Sequence, residues 1–179
     1  MEINLGGIGK GYALDRCAEQ LTESRVHNFL LHGGQSSILA RGNRTGIDKQ
    51  GRAGWKIGLR HPIWHEKYLA DIFLHNRALG TSGTGRQGFF HQGKRYGHII
   101  DPRTGFPAEG VLSSTVLAPT AAEADALATA FYVLGPESSL QICQQRTDIA
   151  AIIVVPGEKQ GTIELHTANL DDSEWQLYE

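Results

Sequence analysis

Ser113-Ser114-Thr115-Val116-Leu117-Ala118-Pro119-Thr120-Ala121-Ala122-Glu123-Ala124-Asp125-Ala126-Leu127-Ala128-Thr129 changes its periodicity at one proline, from an extended run to a helix with its own boundary signals. Thr120 stands at the N-cap position, Glu123 three residues on is its capping-box partner, and Gly135-Pro136 closes the far end. Such a cap stabilises a helix by about 1 kcal/mol. Ala124, Leu127, Ala128, Phe131 and Leu134 supply the predicted buried face. Upstream, strands are predicted near 55–59, 68–74, 78–82 and 96–100, with His61-Pro62 breaking between the first two. Helical spacing from Gly9 to about Glu23 gives way to Asn28-Phe29-Leu30-Leu31, a buried strand ending at Gly33-Gly34, and the polar stretch 41–54 reads as a loop or hairpin tip. Downstream come a shorter helix near 138–145 and a strand over 149–155. Few βαβ repeats and many short strands give an α+β class: an antiparallel meander with helices packed on it.

The length of 179 residues predicts one domain, able to bury roughly 70% of the surface of its unfolded chain without staples. A hydrophobic share of 40% and a charged share of 20% are ordinary for a soluble globular protein, and a net charge of -2 argues against a general nucleic-acid binder. Between Arg86 and Arg103, the bases Arg86, Lys94, Arg95 and Arg103 stand against Asp101, while the chain after Gly161 carries acids and no Lys or Arg. That is either two solvated faces or an anion-attracting rim. Two cysteines make no disulfide framework; Cys17 falls on the apolar stripe Leu14, Cys17, Ala18, Leu21, and core positions are expected for it and Cys143. No apolar run reaches membrane-spanning length, and residues 1–10 do not read as a signal peptide.

Three stretches could carry chemistry. In Asn4-Leu5-Gly6-Gly7-Ile8-Gly9-Lys10-Gly11-Tyr12-Ala13 a turn with almost no side chains runs into a helix start beside a lysine. It is either a phosphate-holding turn, with glycines admitting close approach and unpaired N–H groups pointing outward, or a plain strand-to-helix turn. Asp125 and Thr129, four apart, project a carboxylate and a hydroxyl from one helix face among small residues. They suit Mg²⁺, which takes oxygen ligands and keeps several waters; alternatively Asp125 complements the helix dipole and Thr129 bonds back to a carbonyl. Tyr96-Gly97-His98-Ile99-Ile100-Asp101-Pro102-Arg103-Thr104-Gly105 sets a histidine at a strand end beside a polar turn. His98 could exchange a proton there with Asp101 facing the same mouth, or the segment is a capped turn with a packed histidine.

Other patterns mislead. Gly83-Thr84-Gly85-Arg86-Gln87-Gly88 spells the dinucleotide glycine signature, but no helical stripe follows and no βαβ unit surrounds it. Gly9-Lys10-Gly11 lacks the glycine spacing and the following Ser or Thr of a Walker loop. His61 and His65 are four apart, but Pro62 breaks the helix a metal pair would need.

Taken in order, the glycine-lysine segment 5–13, Gly33-Gly34, Thr81-Ser82-Gly83, His98-Ile99-Ile100-Asp101-Pro102-Arg103-Thr104-Gly105 and Ala124-Asp125-Ala126-Leu127-Ala128-Thr129 resemble the ApbE family of FAD:protein FMN transferases. The resemblance covers nearly the whole chain and implies a T-fold-like alpha–beta roll. It implies binding of FAD and Mg²⁺, and transfer of FMN to a threonine of a target flavoprotein with release of AMP. FAD pyrophosphatase activity and a non-catalytic flavin-binding module are the alternatives. Carried over by motif, the Gly7 carbonyl, Asp125 and Thr129 would hold the metal. Lys10 would meet the FAD phosphates, Asn4, Ile99, Ser82 and Gly83 would contact the cofactor, and His98 would accept the hydroxyl proton of the target threonine. Two departures stand out: family members usually have aspartate at the position of Asn4, and they are longer, so residues 1–179 look like a single domain matching their second half. The first half would carry an export signal and further FAD contacts, a periplasmic or cell-envelope bacterial location is implied, and an exposed half-site would favour a homodimer.

Overall fold

The computed structural model describes residues 4–44, 51–83, 88–92 and 94–178, with backbone only at 89–91, 94 and 95. Helix α1 (Gly9–Glu23) leads into β1 (Phe29–His32) and β2 (Ser37–Arg41). Strands β3 (Trp55–Arg60) and β4 (Tyr68–Leu74) come next, followed by β5 (Ala78–Gly83), β6 (Gly88–His91), β7 (Lys94–Gly97) and β8 (Ser113–Ala118). Helices α2 (Ala121–Leu134) and α3 (Pro136–Gln145) then precede β9 (Ala150–Pro156), β10 (Ile163–Ala168) and β11 (Trp175–Leu177).

Six strands form one antiparallel sheet in the order β1-β2-β5-β8-β9-β10, and a second sheet runs β11-β4-β3. The β3–β4 hairpin leaves the main sheet between β2 and β5, so the predicted meander is interrupted by a second layer. Alternation along β8 and β9 shows why. Val116, Ala118, Ala151 and Ile153 face the helices, whereas Leu117, Ala150, Ile152 and Val154 pack with Leu59, Ile72 and Leu74 of the small sheet. A sheet buried on both faces needs apolar side chains at every position, which is why Ala150–Val154 reads as one continuous apolar run.

Boundaries follow the sequence signals closely at α1 and α2. Thr120 Oγ1 accepts the Glu123 N–H at 3.2 Å, but the reciprocal half of the capping box is absent: Glu123 pairs instead with Arg146 at 2.7 Å. The buried face of α2 includes Asp125 and Tyr132 beside Ala121, Ala124, Ala128 and Phe131, while Leu127 and Leu134 are only half-buried. Cys17 is exposed, contrary to expectation, because the stripe of α1 that meets the core is Gly11, Leu14 and Ala18; Cys143 is buried. Strands β2, β6, β10 and β11 were not expected from the sequence, and the expected strand 96–100 is displaced to Lys94–Gly97. Thr84 to Gln87 of the dinucleotide-like pattern lie outside the described residues, as does Arg86 of the basic stretch; the segment after Gly88 is strand β6.

Two glycines set how closely the helices approach. A Cβ on Gly11 would lie 2.0 Å from the Ala121 carbonyl oxygen, and one on Gly80 would lie 2.3 Å from that of Ala124. Thus α1 crosses α2 backbone to backbone, and α2 lies directly on β5. The contact is fastened by Asp15, whose two carboxylate oxygens accept the N–H groups of Ala121 and Ala122 at 2.8 Å each. These are orphan donors of the first turn of α2. Replacing Gly11 by Ala should therefore force the helices apart and destabilise the fold by about 1–3 kcal/mol, read from urea unfolding midpoints at unchanged slope.

Candidate functional site

The opening turn is built around Leu5, whose carbonyl accepts the N–H groups of Ile8 (3.1 Å) and Gly9 (2.8 Å). Asn4 Oδ1 closes it by accepting the Gly6 N–H at 2.8 Å. At the start of α1 the N-cap Ile8 offers no side-chain acceptor, and the first turn has no acidic residue. A carboxylate from another helix takes that role: Gly11 N–H donates to Asp125 Oδ2 at 3.1 Å.

Asp125 is 3% exposed, so its charge needs partners. Ser37 Oγ donates to Oδ1 at 2.9 Å, and Lys10 Nζ lies 3.2 Å from Oδ1 and 3.4 Å from Oδ2. One turn along α2, Thr129 Oγ1 donates to the Asp125 carbonyl at 3.3 Å and shares a 3.0 Å hydrogen bond with Ser82 Oγ. The back-bond foreseen as the plain alternative for Thr129 is thus present, and it fixes the hydroxyl beside Ser82. Gly7 reaches the same spot: a Cβ there would sit 3.4 Å from Thr129 Oγ1. Gly7, Lys10, Ser82, Asp125 and Thr129 therefore meet, although 118 positions separate Gly7 from Asp125 in the sequence.

The donor set suits a hard cation. One buried carboxylate, two hydroxyls and the backbone of a glycine turn offer oxygen only, and no group of three or more His, Cys, Asp or Glu that could hold a metal exists among the described residues. Ser37 and Asp15 were not singled out in the sequence. Ser37 follows Gly33-Gly34 at the start of a strand with no helical or metal spacing to mark it, whereas Asp15 stands one helical turn beyond Gly11, where an i+4 reading of α1 would have found it.

His98 is exposed just beyond β7, not on the strand. A Cβ on the preceding Gly97 would lie 3.9 Å from the hydroxyl of Tyr132, a buried residue three positions beyond Thr129 on α2. The segment leading into His98 thus adjoins α2 at Tyr132. Ile99 is half-buried against the helix-side core and its carbonyl accepts the Ala108 N–H at 2.8 Å, while Ile100 and Phe106 remain exposed.

Asp101 bonds to Arg103, as the capped-turn alternative for this segment expects. Its oxygens accept from Arg103 N and Nε at 2.9 Å each and from a terminal Arg103 nitrogen at 2.6 Å. The same guanidinium donates to the Val133 carbonyl at 3.2 Å, tying the 101–105 turn to the end of α2. Hydrogen bonds from Arg103, side chain first and backbone second, hold the Asp101 carboxyl below its ordinary range. Gly83 ends β5 beside Ser82 at the border of the described residues.

Comparison with known proteins gives a consistent picture. The ApbE family model matches residues 1–153. The FAD:protein FMN transferase of Haemophilus influenzae is 33% identical over 156 residues, which cover 86% of this chain and 43% of that protein. Its counterpart in Treponema pallidum is 34% identical over 164 residues, covering 89% and 45%. The chain spans less than half the length of these curated relatives. Among solved structures, the ApbE protein of Thermotoga maritima superposes with a TM-score of 0.76 at 33% identity, covering 92% of this chain and 51% of that one. The flavin transferase ApbE of Vibrio cholerae gives 0.74 at 28% identity, with 93% and 50% covered.

Because the folded Asp101 carboxyl is depressed, its ion pair contributes stability above about pH 4, the unfolded value, and loses it as pH falls through the lower folded value. The stability gap between the protein and Arg103→Met should be constant near neutrality and narrow below about pH 4. Urea midpoints of both proteins across that range test this; a gap unchanged by acid would refute it.

Proposed function

The chain belongs to the ApbE family, and from that premise and the site geometry we propose that it takes part in Mg²⁺-dependent transfer of FMN from FAD to a threonine of a target flavoprotein, with release of AMP. The observation that carries this reading is the meeting of the glycine turn with the oxygen donors of α2, Gly7 against Thr129 and Lys10 against Asp125. Curated relatives named FAD:protein FMN transferase support the reaction class.

In this reading Asp125 and Thr129 hold Mg²⁺ together with the Gly7 carbonyl. The cation supplies neutralisation of charge developing on the pyrophosphate oxygens. Ser82 orients the Thr129 hydroxyl through their 3.0 Å hydrogen bond, and Ser37 does the same for the Asp125 carboxylate. Lys10, whose side chain is 42% exposed beside the glycine turn, draws the FAD diphosphate. His98 takes the proton of the acceptor threonine hydroxyl as its oxygen bonds to the FMN phosphorus, and the bond from that phosphorus to the AMP oxygen breaks. Gly83 and Ile99 line the cofactor side. Asn4 keeps the turn closed with its oxygen and offers its amide N–H₂ group to the cofactor, which an aspartate there could not do.

The direct test incubates the chain with FAD, Mg²⁺ and a threonine-bearing acceptor, alone or with the uncovered part of the Haemophilus influenzae relative supplied in trans. Covalent flavin on the acceptor and equimolar AMP are expected. Neither product under either condition would overturn the proposal, and AMP without acceptor would assign water as the nucleophile. Asp125→Ala should abolish the Mg²⁺-dependent rate while circular dichroism retains the folded spectrum. His98→Ala should lower turnover by about 10²–10⁴-fold with FAD affinity nearly unchanged; an unaltered rate would remove His98 from the proton-accepting role.

A further inference from the structure

The carboxylate of Asp125 is closely surrounded by donors. An ionised carboxyl offers about four lone-pair positions. Ser37 takes one on Oδ1, Gly11 N–H and Lys10 take those of Oδ2, and the same ammonium lies 3.2 Å from Oδ1 as an ion pair. The side chain is 4% exposed, against 42% for Lys10, so the ammonium group stands between this carboxylate and solvent.

These partners are unequal. Ser37 at 2.9 Å and Gly11 at 3.1 Å come from a buried strand residue and a helix backbone, and both lie within ordinary hydrogen-bond distance. Lys10 lies at 3.2 and 3.4 Å from the carboxylate and 3.4 Å from the Gly6 carbonyl, longer than a well-formed charge-assisted bond, on a flexible stem. The fixed donors stay whatever binds, and the loose one is free to leave.

Resting on the reading that Asp125 holds the metal and Lys10 meets the diphosphate, we propose that the Lys10 ammonium guards the Asp125 carboxylate, and that a diphosphate must draw it off before a divalent cation can take the carboxylate. A divalent ion arriving alone competes with an ammonium for the same oxygens and is repelled by it. A diphosphate arriving beside the start of α1 gives the ammonium new oxygens and removes it from both Asp125 oxygens. Metal and dinucleotide then bind cooperatively, and each raises the affinity of the other by the same factor. The site thereby stays closed to free divalent cations and admits them with diphosphate-bearing substrates.

The test titrates the chain with Mn²⁺, a hard octahedral stand-in for Mg²⁺, reading free metal by electron paramagnetic resonance without nucleotide. Lys10→Met, which keeps the stem and removes the charge, should bind Mn²⁺ alone about tenfold or more tighter than the unaltered chain. Lys10→Arg, which keeps the charge, should bind as weakly as the unaltered chain, guarding against a fold change in the first variant. FAD, followed by its fluorescence, should bind at least about tenfold tighter with Mn²⁺ than without in the unaltered chain, and this gain should shrink in Lys10→Met to the direct attraction between metal and diphosphate. Equal Mn²⁺ affinity for the unaltered chain and Lys10→Met would overturn the inference and leave the metal site standing. Mn²⁺ binding indifferent to Asp125→Asn in every background, with or without FAD, would overturn the metal site and the inference together.

Discussion

Two carboxylates exchanged between two helices hold this structure in register. Asp15 of α1 accepts the first N–H groups of α2, and Asp125 of α2 accepts the Gly11 N–H near the start of α1. Each helix satisfies donors that the other cannot satisfy for itself, and each places negative charge at the positive end of its neighbour's dipole. The exchange requires backbones to touch, and only the missing Cβ of Gly11 lets them. Any shift of α1 along α2 would break both sets of bonds at once, so the distance from the glycine turn to Asp125 follows from helix packing and not from the turn itself.

The sheet fixes the other half of the arrangement. Ser37 on β2 pairs with Gly80 on β5, and Gly80 lets α2 settle directly onto the sheet. Ser37 thereby reaches Asp125 from below while Ser82, two residues beyond Gly80, reaches Thr129. Period-two alternation puts Gly80 and Ser82 on the same face, beneath successive turns of the helix. The small sheet β11-β4-β3 covers the far side of the main sheet and leaves this face to the helices.

Electrostatically the site is a buried anion held by Ser37, Gly11 and Lys10, beside a helix start whose own first turn lacks acidic groups. That combination sets opposite charges within a few ångströms. The buried carboxylate faces the exposed Lys10 ammonium and the start of α1, and the hydroxyl pair Ser82–Thr129 lies one turn further along α2. The loop after His98 is tied to the end of α2 by a different anchor, the Asp101–Arg103–Val133 chain of hydrogen bonds, in the capped turn that is one of the two readings of this segment.

Local patterns in the sequence determined the limits of α1 and α2, most of the central strands, the α+β class and the motif residues of the glycine turn and the second helix, because capping, periodicity and turn chemistry act over a few residues. Tertiary structure alone decided that β3 and β4 form a separate layer, that Cys17 faces outward, that Asp101 is taken by Arg103, and that Ser37 and Asp15 belong to the site's framework. A serine at a strand start and an aspartate inside a helix carry no local mark of their partners. Their significance comes from chain segments about 90 and 106 residues away, brought into contact by burial on two faces of one sheet and by glycines that permit backbone contact.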